Sequence, residues 1–193
     1  MHETYVQDRT FDRNNFKQQP LPHGEYENCL FNHCDFSDST LSGSTFTDCS
    51  FIGCNLSLTA LVQTGLRDIR FKDCKMLGLR FDSCIPFGLS FSFDNCQLNH
   101  SSFYKTKIKK TIFKNSQLRE VDFADCDLAS AVFDHCDLTG ATFDNTNIER
   151  ADFRTSYNYS IDPERNRIKK AKFAIFGLSG LLDKYDIQIE NNG

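Results

Sequence analysis

The amino-acid sequence predicts an all-β fold, a right-handed quadrangular β-helix that ends in a short C-terminal cap. Three observations carry that expectation. Large apolar residues recur at every fifth position, small residues recur two places ahead of them, and most of the remaining positions are polar or charged.

The five-residue period is long and nearly unbroken. From Phe11 to Phe81 it runs Phe11, Phe16, Leu21, Tyr26, Phe31 and onward to Met76 and Phe81. From Phe93 to Phe153 it resumes in a register shifted by two, as Phe93, Leu98, Phe103, Ile108 and onward. All 28 of these positions are large and apolar, although the chain is only 39% hydrophobic. The column two residues ahead holds Cys, Ser, Thr or Ala at most steps and includes all nine cysteines.

A period of five fits neither the 3.6-residue helix nor the two-residue strand. It fits a backbone that turns a corner every five residues, so that four pentapeptides close a square coil of about 20 residues. The central residue and the small residue two before it then point inward, and the other three point out. Coils stack through main-chain hydrogen bonds at the β spacing of roughly 4.8 Å.

The spacing divides the chain into a lead-in (1–10), a first block of coils (11–85), a bulge or loop (86–92), a second block (93–153) and a C-terminal cap and dimerisation segment (154–193). Pro86 falls where a centre is due and cannot donate to a ladder, so Ile85 to Ser90 reads as a corner bulge of two extra residues. Such a bulge either merely accommodates the insertion or projects an apolar knob, Phe87 or Leu89, toward a partner. After Phe153 the period lapses and partly returns at Ile168, Phe173 and Leu178. An open solenoid end needs covering. The tail bearing Phe173, Phe176, Leu178, Leu181, Leu182 and Tyr185 is therefore a cap, formed as a short helix or a last coil, or a two-fold dimer contact.

Strings such as Cys126-Asp127-Leu128, Ala141-Thr142-Phe143 and Ala151-Asp152-Phe153 resemble the pentapeptide-repeat family, over residues 11 to 153 at least. The segment Ile161 to Ile168, followed by a Gly-Leu stretch, is similar to the C-terminal end of the microcin-immunity group. The resemblance to these and to the Qnr-like proteins implies a DNA mimic. Such a protein acts on DNA gyrase or topoisomerase IV and protects it from a quinolone or a topoisomerase-poisoning toxin. The alternative is a non-enzymatic interaction scaffold with an unrelated partner, because a fold is not a function.

Other classes are disfavoured by the residues themselves. The five histidines are scattered, every cysteine is expected to point inward, and no phosphate-binding glycine loop or Ser-His-Asp arrangement is present. The expectation is no enzyme, no cofactor and no metal. Cysteines five apart do not match the short-loop spacing of structural zinc. A net charge of −4 argues against direct nucleic-acid binding. No apolar run approaches the roughly 18 residues of a membrane span, and Met1 to Thr10 lacks a secretory pattern, so a cytoplasmic protein is expected.

Charge is uneven along the chain. Residues 104–119 carry six basic residues and no acid, and residues 121–164 carry ten acids and two arginines. On the mimic reading Asp122, Asp125, Asp127, Asp134, Asp137, Asp144, Glu149 and Asp152 face a basic groove on the partner. The structural alternative is pairing between residues 20 apart, as in the alternating column Asp94, Lys114, Asp134, Arg154. The like-charge pair Asp48 and Asp68 does not fit that pattern.

Overall fold

The structure is a computed structural model that describes residues 4–190. The chain winds into a right-handed four-sided β-solenoid of about seven turns. One side carries a seven-stranded parallel sheet that includes Thr10–Asp12, Ile69–Lys72, Phe91–Asp94 and Val132–Asp134. A second side carries a four-stranded parallel sheet from Thr4–Gln7 to Gly65–Arg67. The other sides are held by isolated parallel bridges, such as Ser102 to Asp122 to Thr142. Partners are 20 apart before the insertion and after it, and 22 apart across it, as in Phe71 opposite Phe93.

The inward assignment holds throughout. All 28 period-five residues are buried, none more than 9% exposed. On the seven-stranded side the rings of Phe11, Phe31, Phe51, Phe71, Phe93, Phe113, Phe133 and Phe153 form one continuous stack. Centroid spacings in it lie between 4.6 and 5.3 Å, close to the coil rise, so each turn adds one ring to the pile.

The small column does more than fill space. Thr59 Oγ1 donates to the Phe36 carbonyl at 2.8 Å, Thr146 to Phe123 at 2.8 Å and Ser156 to Phe133 at 2.6 Å. Cys54 and Cys136 thiols make the same contact with Phe31 and Phe113 at 3.3 and 3.4 Å. Each bonds a buried carbonyl on the preceding coil, and those of Phe36 and Phe123 also accept the amides of Ser39 and Cys126. All nine cysteines are buried and unbridged.

The corners carry a feature that the period alone did not reveal. The residue two after nearly every centre sits in the left-handed region, among them His33, Asp48, Asp68, Asp125 and His135 with φ of 50 to 55°. Asn, Asp and His are the side chains that tolerate this region best. Asp48 and Asp68 therefore have a backbone reason to be where they are, and Asp68 also accepts from Ser90 Oγ.

The ladder reaches beyond the uninterrupted repeat at both ends. Thr4–Gln7 already pairs with Gly24–Glu27, so the first coil begins inside the segment read as a lead-in. Past Phe153, Asp152 bridges Lys172 and the Phe173 ring stacks on Phe153 at 5.3 Å. Two 3-10 helices, Ile175–Leu181 and Asp183–Tyr185, follow. Tyr159 and Ile161 are buried beneath them, and a Cβ on Gly180 would lie 2.0 Å from the Tyr159 carbonyl oxygen, so only glycine fits there.

Replacing Phe133 by Ala removes one ring from the middle of the stack and should cost about 3–5 kcal/mol. Asp144→Ala, which loses one exposed contact, should cost about 0.5 kcal/mol. Chemical denaturation of both variants checks this, and equal losses would contradict the inward and outward assignment.

Candidate interaction surfaces of the rod

The insertion breaks the four-sided rule on the side that carries the four-stranded sheet. That sheet stops at Gly65–Arg67, and neither Pro86 nor Gly88 can supply the missing core side chain. Leu89 and Phe91 fill the space instead, both buried, with the Phe91 ring 5.2 Å from those of Phe81 and Phe93. Of the two candidate knob residues, Leu89 is thus a core residue and does not project. Phe87 does, at 81% exposure, with the Arg67 guanidinium 6.0 Å from its ring centroid. Gly88, at φ +75°, allows the chain to turn back beneath it.

The acids of residues 121–164 are mostly engaged within the rod. Those one place before a centre cap the following corner: Asp122 accepts from the Ala124 amide at 2.9 Å, and Asp127, Asp137 and Asp152 do likewise two residues on. This is the local carboxylate-to-backbone turn that favours Asp and Asn at that place. The Asp or Asn of the repeat strings is therefore a turn-forming residue first.

Cations reach most of these acids diagonally. Lys109 pairs with Asp127 at 3.1 Å, Arg119 with Asp137 at 2.6 Å, Arg165 with Asp144 at 2.7 Å and Arg167 with Glu149 at 3.0 Å. Arg154 turns to Asp152 at 2.7 Å and leaves Asp134 to His135 and Thr155. The alternating column expected through Asp94, Lys114, Asp134 and Arg154 is in register at its strands but not in its ion pairs. Stacked side chains run parallel to one another, so a long side chain finds its partner one step to the side.

Asp137 is a correction to the candidate list. Its side chain is 4% exposed, which removes it from any docking surface. Burial pushes its carboxyl up, but hydrogen bonds from Thr139, Arg119 and Asn158 outweigh this and hold it down to about 2. Its role is to tie three coils together.

Five of the acids share one side. Asp122, Asp125 and Asp144, with Asp162 and Glu164, occupy the outer columns of the side bridged by Ser102, Asp122 and Thr142. These five carboxylates meet two cations, Arg165 on Asp144 and Lys184 between Asp162 and Glu164. Among the described residues, Asp122 and Asp125 have no cationic partner within 4 Å, and Asp125 accepts only from Asn145 Nδ2.

The C-terminal candidates divide in two. Phe173 and Leu181 pack against the core and Leu182 is half-buried, so these act as the cap. Phe176, Leu178 and Tyr185 are 69%, 45% and 53% exposed, and Ile175 beside them is 89% exposed.

Residues 24–92 and 89–158 match a family profile described as a pentapeptide repeat region. The chain belongs to the pentapeptide-repeat family. Among solved structures, this pentapeptide-repeat protein is similar to QnrB1, described as a plasmid-mediated fluoroquinolone resistance protein. The identity is 22% and the TM-score 0.49, over 97% of this chain and 98% of that one. It is also similar to HetL, a pentapeptide repeat protein involved in heterocyst differentiation regulation from the cyanobacterium Nostoc sp. strain PCC 7120. There the identity is 12% and the TM-score 0.37, over 90% and 85% of the two chains. No curated protein matches the chain. Among the described residues no helix is long and apolar enough to cross a membrane.

The buried groups set the pH limits of the rod. Burial pushes the thiols of Cys84, Cys126 and Cys136 up to about 12 from an ordinary 9.0. A raised thiol contributes stability below pH 9 that is lost as pH rises toward 12, whereas the lowered Asp137 contributes stability that is lost as pH falls from about 4 toward 2. Unfolding free energy measured against pH should therefore show a plateau that falls away at both ends. Asp137→Ala should lower the plateau by about 2–3 kcal/mol and flatten the acid limb. An unchanged acid limb in that variant would contradict the role given to Asp137.

Proposed function

We propose that this pentapeptide-repeat protein is a non-enzymatic binding protein whose C-terminal half docks on a type II topoisomerase, DNA gyrase or topoisomerase IV. By occupying the enzyme's DNA-binding surface it protects the enzyme from a quinolone or a topoisomerase-poisoning toxin. The observation that supports this reading is the acidic side of the rod. Five carboxylates sit there across three successive coils against two cations, and two of them carry no ion pair. A basic groove shaped for phosphates attracts such a surface. The resemblance of the repeats to the Qnr-like and microcin-immunity groups supports a type II topoisomerase as the partner.

Supercoiling of plasmid DNA by gyrase, titrated with the protein with and without a fluoroquinolone, tests the reading. Rescue from the drug, or direct inhibition, is expected. Asp122→Asn combined with Asp125→Asn should weaken the effect about tenfold while leaving the melting temperature unchanged. Full activity in that variant would sink the acidic-side mechanism, and no effect of the unaltered protein at micromolar concentration would favour a scaffold with another partner.

The exposed end formed by Ile175, Phe176, Leu178 and Tyr185 fits a two-fold contact between copies, because the cap helices leave four large apolar side chains in solvent. Sedimentation is expected to give a dimer that Phe176→Asp converts to monomer. A monomer in the unaltered protein would overturn this assignment.

A further inference from the structure

On another part of the wall the charge is reversed. Around the insertion, Arg67, Arg70, Lys107, Lys109 and Lys110 are all exposed. Among the described residues only Lys109 of these five has a carboxylate within 4 Å, its partner being Asp127. Elsewhere on the rod the cations Lys17, Arg80, Arg119, Arg154, Arg165 and Lys184 are each paired. Four cations without a carboxylate partner among the described residues thus sit together at this corner, although others along the rod, Lys105, Lys114 and Arg150 among them, are unpaired too.

That corner also holds the rod's most exposed wall aromatic, Phe87, flanked by Arg67. A shallow groove of about 330 Å³ on the same three coils is lined by Arg70, Lys109 and Lys110 together with the hydroxyl residues Ser90, Ser92 and Thr111, with Asp68 also in its lining. Asp68 is occupied by the Ser90 hydroxyl. Positive charge, hydroxyl donors and a projecting apolar ring therefore meet within a small area.

We propose that this corner is a docking site for an acidic protein segment, whose carboxylates bind Arg70, Lys109 and Lys110 while Phe87 seats in an apolar hollow of the same partner. The partner chemistry follows from the size and the borders of the patch. From the coil of Arg67 to the coil of Lys110 is two steps, roughly 10 Å at the β spacing. Duplex DNA carries a charge about every 1.7 Å and needs a longer basic track. Here the same outer columns turn acidic on both sides, at Glu25 and Glu27 before the belt and at Asp127 and Glu149 after it. Asp127 and Glu149 are paired with Lys109 and Arg167, but a phosphate backbone running toward the N-terminal end meets repulsion from Glu25 and Glu27, which a short cluster of carboxylates does not reach. A projecting phenyl ring gains by entering an apolar socket, which a protein surface supplies and a hydrated backbone does not. The site is separate from the acidic side and does not depend on the topoisomerase reading.

The test uses the full chain and a short fluorescein-labelled peptide in which glutamates flank a central leucine pair, followed by anisotropy at low salt. Binding is expected, weakening as salt is added. Arg70→Glu with Lys110→Glu should weaken it about tenfold, and Phe87→Ser several-fold, with the melting temperature unchanged in each. No binding at roughly 1 mM peptide overturns the proposal, as does binding indifferent to the charge reversal. Tighter binding of a thymidine oligonucleotide of matched charge also overturns it and makes the corner a nucleic-acid surface.

Discussion

The corner is the constraint on which the rest of this structure depends. A chain that must turn every five residues places one residue per turn in the left-handed region, and in this rod most of those residues are not glycine. A side chain in that region is disfavoured relative to extended backbone, least so for Asn, Asp and His. Repeated along the rod, the corner imposes a large unfavourable sum. It is offset by what the same geometry makes possible, a fully buried centre on every side and a ladder bond from every coil to the next.

The polar residues follow from the corner almost as directly as the apolar ones. An Asp or Asn before the centre accepts the amide two residues on, as Asp35, Asp122 and Asn147 do. A Ser, Thr or Cys two before the centre closes a carbonyl on the preceding coil. Most of the acids that draw attention in the sequence are accounted for by these duties and by diagonal ion pairs. The same compression that buries Phe133 leaves Asp137 buried as well, because its columns are crowded by Arg119, Thr139 and Asn158.

How far the sequence could be read is itself explained by this regularity. The phenylalanine stack, the inward cysteines and the place of the insertion all leave a periodic mark, so they were legible from spacing alone. Leu89 was not, because two inserted residues can be absorbed by turning either side chain inward. The choice falls to whichever fills the volume that Pro86 and Gly88 leave empty. Tyr159 was not legible either. It enters the core one place after Asn158, where the centre is due, while the 20-residue ladder runs on past it to Lys172. The ion pairs escaped because a 20-residue offset fixes which backbones are neighbours, while long side chains choose partners 18 or 21 residues away.

A repeat that assigns most residues a structural task gives its departures more weight as signs of function. Asp137 looks like a surface acid until its hydrogen bonds are counted, and Asp122 and Asp125 keep their interest because no ion pair accounts for their charge. The same reasoning favours Phe87 over Leu89: a buried leucine is explained by packing, whereas a phenyl ring held out in water beside unpaired arginines and lysines is not. In a closed solenoid the wall is flat and its edges repeat, so the distinctive places on it are those where the repeat is broken or its charge is left over. Two such places among the described residues are the acidic side of the C-terminal half and the basic corner at the insertion. They are opposite in sign, so a single uniformly charged surface cannot satisfy both.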